Sequence, residues 1–146
     1  MAGIPIPSWH NGTMTTTNSR SYATSSRPVR VGVLDHVGYV DGLAACLPMR
    51  WVTQHYDSLY EMGAFDLLVI GGATPHLVAA TRLIHPDATI VAVINADATA
   101  AMFVATLQAG ADACVRAGGP AKLAGHLLAT HRRHLRQARL SRSHAA

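Results

Sequence analysis

Two short apolar runs dominate the pattern of the chain. Leu67-Leu68-Val69-Ile70 leads into Gly71-Gly72, and Ile90-Val91-Ala92-Val93-Ile94 leads into Asn95. Neither run offers a polar position to a solvent face, so each predicts a parallel strand covered on both sides. Val29, Val31, Val33 and Leu34 predict a first strand, Trp51-Val52-Thr53 a second and Cys114-Val115 a short fifth. Helical spacing fills the gaps. Leu43, Cys46 and Leu47 form a stripe ended by Pro48, and Leu59 to Gly63 is a short helix with a glycine stop. Val78 to Ile84 closes at His85-Pro86, and Ala98 to Ala109 stops at Gly110. Pro120 opens a last helix, with Leu123, Leu127, Leu128, His131 and Leu135 expected on its buried side.

Strand and helix therefore alternate five times. That order predicts an α/β fold, a doubly wound parallel sheet of flavodoxin-like order 2-1-3-4-5. Sites in such sheets lie beyond the carboxyl ends of the strands, here Asp35-His36, Gly71-Gly72, Asn95 and Ala117.

Composition adjusts this picture at both ends. Of 146 residues, 49% are hydrophobic and 14% charged, enough for one domain with an aliphatic core. Residues 1–27 are rich in Ser, Thr, Asn and Gly and predict a disordered arm. Residues 28–130 form the predicted domain, and residues 131–146 a basic helical extension. The net charge of +4 divides into +2, −3 and +5 over those three segments. The basic balance thus belongs to Arg132, Arg133, Arg136, Arg139 and Arg142, not to the body. Those arginines could touch phosphates, or could be a solvated helix end favoured by the helix dipole. No apolar run approaches membrane-spanning length, and no secretory leader is visible. Cys46 and Cys114 sit in apolar segments and read as buried free thiols of a reducing compartment, which places the protein in the cytoplasm.

Few other signals carry chemistry. His131 and His134 are three apart on one helix, with no third ligand near them in sequence, so no metal and no cofactor are expected. A glycine-rich nucleotide fingerprint and a nucleophile elbow are both missing, and no enzymatic activity is expected. Asp35 and His36 admit two readings. Asp35 caps the next helix while His36 is half-exposed, or the pair lines a pocket that binds a ligand or senses pH.

Five segments in order resemble the receiver domain of bacterial response regulators, in the NarL/LuxR branch. They are Gly42-Leu43 with Leu47, Phe65-Asp66-Leu67-Leu68-Val69-Ile70, Pro75, His85-Pro86-Asp87-Ala88, and Ala109-Gly110-Ala111-Asp112. The resemblance covers roughly residues 29 to 130. It implies phosphoryl transfer from a partner kinase to an aspartate, using two acids for Mg²⁺, a hydroxyl and a lysine. The acceptor position falls on Gly71, which has no nucleophile. The acid pair reduces to Asp35, with His36 or Leu34 beside it. The hydroxyl position falls on Asn95 or Ile94, and the lysine position on Ala117 beside Arg116. The segment from Pro75 to Pro86 is also short for the family, which truncates the third helix.

The resemblance therefore implies a pseudo-receiver, with the fold kept and the phosphorylation chemistry gone. The expected role is a phosphorylation-independent interaction or dimerisation module in signalling or transcriptional regulation. The alternatives are a small-molecule sensor using the pocket of Asp35, His36, Gly71, Asn95 and Ala117, and nucleic-acid contact through the arginines. In receivers, the helices flanking the fifth strand commonly dimerise or dock partners. Here that face would carry Met102, Phe103, Thr106, Leu127, Leu128 and Leu135. A homodimer or another regulatory protein is the expected partner.

Overall fold

The computed structural model describes residues 27–145. The predicted arm lies outside them, apart from Arg27. Five parallel strands form one sheet in the order β2-β1-β3-β4-β5, as the alternation predicts. They are β1 (Val29–Asp35), β2 (Trp51–Tyr56), β3 (Leu67–Gly71), β4 (Thr89–Ile94) and β5 (Ala113–Arg116). Every residue of β3 and β4 is buried, as their unbroken apolar runs require. The helices are α1 (Leu43–Cys46), α2 (Pro75–Ile84), α3 (Ala100–Gln108) and α4 (Pro120–Ala145).

The sheet divides the core in two. On one face Val31, Val33, Leu67, Val69, Val91 and Val93 meet Leu43 of α1 and Leu123 and Leu127 of α4. On the other, Leu68, Ile70, Ile90, Ala92 and Ile94 meet Val78 of α2 and half-buried Phe103 of α3. Side-chain caps set where two helices begin. Thr74 Oγ1 accepts from Leu77 N at 3.1 Å, ahead of Pro75 in the first turn. Thr99 Oγ1 accepts from Met102 N at 3.1 Å and starts α3.

Each long helix also turns one buried threonine toward the sheet. Thr81, Thr106 and Thr130 satisfy their hydroxyls inside their own helices, on the carbonyls of Leu77, Met102 and His126, each at 2.8 Å. A buried hydroxyl without such a partner would be costly.

The structure departs from the sequence pattern in several places. The first helix is a single turn, and Cys46 at its end is exposed, not buried. With only one turn, α1 buries Leu43 alone, so the Cys46 side of the stripe never reaches the core. The segment expected as a second helix is a 3-10 turn, Leu59–Glu61. Without a helix there, one face of β1 and β2 stays open as a groove of about 360 Å³, bounded by Val52, Tyr56 and Phe65. The second strand runs on to Tyr56, half-exposed at the sheet edge. Leu135, expected on the buried side of the last helix, is 41% exposed because α4 has by then outrun the sheet.

The turn Ala109-Gly110-Ala111-Asp112, the most specific stretch in the sequence, has a structural job. Gly110 has φ +124°, a left-handed value that favours glycine, and a Cβ there would press on Arg82. Arg82 donates to Gly110 O at 3.2 and 2.6 Å, to Pro86 O at 3.0 Å and to Ala88 O at 2.6 Å. It also pairs with Asp112 Oδ2 at 3.0 Å, and Asp112 accepts from Ile90 N at 2.8 Å. One guanidinium thus ties α2 to the turns that precede β4 and β5. Sequence reading passed over Arg82 because its partners are mostly carbonyls, which carry no side-chain signature.

Candidate functional site

At the carboxyl ends of the strands, Asp35 stands beside Gly71 in the β1–β3 register. Its carboxylate is wrapped by the chain that follows it. Oδ1 accepts from Val37 N at 3.2 Å, Gly38 N at 3.1 Å and Tyr39 N at 3.4 Å, and Oδ2 from Val40 N at 2.9 Å. Gly38 makes the wrap possible with φ +85°. Four backbone donors on one carboxylate make it a structural cap, competing with any cation for its lone pairs.

The same side chain fills the room that a side chain at position 71 would need. A Cβ built on Gly71 would lie 2.5 Å from Asp35 Cγ and 3.0 Å from Asp35 Cβ, and would collide with Oδ1. Gly71 therefore does more than lack a nucleophile. It is the residue that lets Asp35 lie over the end of β3.

The remaining positions are equally committed. Asn95 Oδ1 accepts from Asp97 N at 2.8 Å and shapes the turn before α3. Ala117 N donates to Ile94 O at 2.8 Å, extending the β4–β5 pairing. Arg116, next to the lysine position, turns away and donates to Ala98 O at 3.2 Å, with its guanidinium 5.1 Å from the centre of the Phe103 ring. His36 shares a hydrogen bond of 3.0 Å with Asp57 O, so it staples two loops together. Among the described residues, no group of three or more His, Cys, Asp or Glu side chains is placed to hold a metal ion.

A cavity of about 470 Å³ opens beside these residues, over the start of α3. Val37, Tyr39, Gly72, Thr74, Asn95 and Met102 are among its walls. Of the five pocket residues expected from sequence, it takes in Asn95 alone. Asp35, His36, Gly71 and Ala117 lie outside it.

The expected interaction face is reached only in part. Met102 is 42% exposed, and Phe103 and Leu128 are half-buried. Thr106 and Leu127 have no exposed surface at all and are corrections to the sequence reading. Thr106 faces the second core with its hydroxyl on Met102 O, and Leu127 belongs to the first core. The surface of α3 is instead formed by Val104 and Leu107, 49% and 37% exposed, on a helix without a charged residue. The roughly 100° turn per residue would have located them once Thr106 was placed inward.

Two groups titrate away from their ordinary values. Burial pushes the Cys114 thiol up, against an opposing pull from Arg116. Burial lowers His131, Asp66 acts the other way, and His134 and Arg27 lower it further. His131 packs edge-on against Trp51, with ring centres 5.3 Å apart, and its buried Nδ1 has no hydrogen-bond partner among the described residues.

Several solved structures with this arrangement are receiver domains. The receiver of an HD-domain protein from Pseudomonas fluorescens aligns over 77% of this chain and 93% of its own, with a TM-score of 0.62 at 12% identity. The receiver of the putative response regulator NarL from Mycobacterium tuberculosis aligns over 73% and 98%, with a TM-score of 0.59 at 19% identity. This is the receiver fold. An orphan response regulator of Helicobacter pylori is similar as well, over 72% of this chain and 98% of its own, with a TM-score of 0.56 at 14% identity. No family model and no curated protein matches the chain. Among the described residues, no helix is long and apolar enough to cross a membrane.

Proposed function

We propose that this chain is a pseudo-receiver, a signalling module that works through protein contact and not through aspartyl phosphorylation. The observation that carries the reading is the interlock of Asp35 and Gly71. The remaining carboxylate occupies the acceptor's space and gives its lone pairs to four backbone N–H groups. A phosphoryl acceptor needs a free carboxylate, a hard cation with several oxygen ligands, and donors for the incoming phosphate. Gly71 and Ala117 supply none of these, and Asn95 offers no carboxylate.

With that chemistry gone, the surface carries the function. α3 offers Met102, Val104 and Leu107 to solvent on a helix without charge. Val104 and Leu107, about 60° apart on an uncharged helix, suit a protein partner or a second copy of the chain.

Acetyl phosphate with Mg²⁺ is the direct test. Intact mass spectrometry should show no phosphoryl adduct, and a hydroxylamine-sensitive adduct on the native chain would overturn the reading. Sedimentation of Val104→Glu and Leu107→Glu against wild type tests the contact face. If the wild type self-associates, both variants should weaken it.

The cavity over α3 supports a second reading, a small-molecule sensor. Its mixed lining of Val37, Tyr39, Thr74 and Asn95 is typical of a ligand site. Thermal shift against a metabolite panel tests it, since a bound ligand stabilises the folded state. A hit that keeps its effect in Thr74→Val and Asn95→Ala variants would not be using this cavity.

A further inference from the structure

We infer that the outer half of α4 binds the phosphate backbone of duplex DNA, independently of whether the domain is phosphorylated. Beyond Asp112 the chain has no acidic residue, while α4 carries Lys122 and five arginines. Arg132, Arg133, Arg136, Arg139 and Arg142 are all exposed. The contrast with the body is direct. Arg27, Arg82 and Arg116 hold carboxylates, carbonyls or a ring, but the ion pairs found among the described residues include no arginine of α4. Arg142 makes a single long bond, to Ala138 O in its own helix at 3.4 Å.

Helix geometry puts four of these arginines, Arg132, Arg133, Arg136 and Arg139, on one side. At about 100° per residue, Arg136 falls about 180° from Leu127, and Arg132 and Arg139 lie within about 60° of Arg136. Leu127 is fully buried against the sheet, so this stripe faces directly away from the domain. From Arg132 to Arg139 it runs about 10 Å at 1.5 Å per residue.

The same geometry separates possible polyanions. A helix lying on a lipid surface needs a continuous apolar face. Leu135 and Leu140 fall about 140° apart on α4, with arginines between them, and make no such face. Single-stranded nucleic acid is held by aromatic side chains that stack on bases. α4 contains no Phe, Tyr or Trp. A-form RNA buries its major groove too deeply for side chains, whereas the B-form groove admits an α-helix. A straight helix with a stripe of guanidinium groups, which pair with phosphate in a bidentate fork, fits the outside or major groove of B-form DNA.

Fluorescence anisotropy of the full chain with a labelled duplex of about 30 base pairs, over about 50–200 mM salt, tests this. Binding should weaken with a log–log salt slope of about −3 to −4, as expected for that many phosphate contacts. The Arg132→Gln, Arg136→Gln, Arg139→Gln triple variant should lose more than about tenfold in affinity and flatten the slope by about 3. Its circular dichroism should match wild type, the triple Lys variant should keep most of the binding, and Arg50→Gln on the body should change little. Absence of binding at low salt, or an unchanged triple variant, overturns the proposal. So does equal or tighter arginine-dependent binding to phosphatidylserine vesicles, to poly-glutamate or to a second copy of the chain.

Discussion

The two ends of the sheet treat their carboxylates differently. Where strands begin, acids come with cations. Asp66 accepts from Arg30 N at 2.8 Å and pairs with Arg27 at 2.7 Å, and Asp112 accepts from Ile90 N and pairs with Arg82. Where strands end, Asp35 has four backbone donors, and no basic side chain pairs with it among the described residues. The first arrangement braces the frame. The second holds a charge locally, by backbone dipoles alone, at the carboxyl ends of the strands.

Breaking the second end should have the largest effect. Gly71→Asp is expected to destabilise by about 3 kcal/mol in denaturant unfolding, since its side chain must displace a carboxylate held by four donors. It should remain unlabelled by acetyl phosphate. Gly71→Ala should cost about 1 kcal/mol less in an Asp35→Ala background than alone, the signature of a direct clash.

At the first end, Arg82→Ala should cost about 2 kcal/mol, because Asp112 and three carbonyls lose their donor together. Asp35→Asn should cost about 1 kcal/mol, the amide keeping one acceptor oxygen for donors that now share two. If Arg82→Ala proves harmless and Asp35→Asn unfolds the protein, the assignment of frame and site to the two ends is reversed.

A smaller effect concerns His131. Its folded-state pKa lies below the ordinary value of 6.5, chiefly through burial. The unfolded chain then binds the proton more readily, so this contribution is present above 6.5 and is lost as pH falls through the folded-state value. Melting temperature should drop on mild acidification, and His131→Phe should flatten that drop. Smallest of all, the triple Arg→Gln variant of α4 should leave stability within about 0.5 kcal/mol of wild type.

Strand order and the two covered strands were legible because the runs of β3 and β4 admit no solvent face. The lengths of the first two helices were not. Leu43, Cys46 and Leu47 have helical spacing, yet Pro48 follows too soon for more than one turn to form. At the strand ends, the lack of a side chain at Gly71 could be read directly from residue type. That Asp35 fills its place could not, because the contact joins residues far apart in sequence and depends on a loop wrapping one carboxylate. Resemblance alone puts Thr106 and Leu127 on a surface, and only packing shows which side of a helix faces in.

The three buried threonines have a mechanical consequence. Because Thr81, Thr106 and Thr130 each bond within their own helix, none of these hydroxyls pins a helix to a particular strand. What lies between α2, α3, α4 and the sheet at those points is apolar packing, which carries no directional bond. A push on the exposed flank of α3 can therefore be taken up by sliding, without breaking a hydrogen bond to the sheet at Thr106. The firm anchors are at the ends, where Arg116 grips Ala98 O and Arg82 grips the turns. Such a body is stiff along its strands and compliant between its layers.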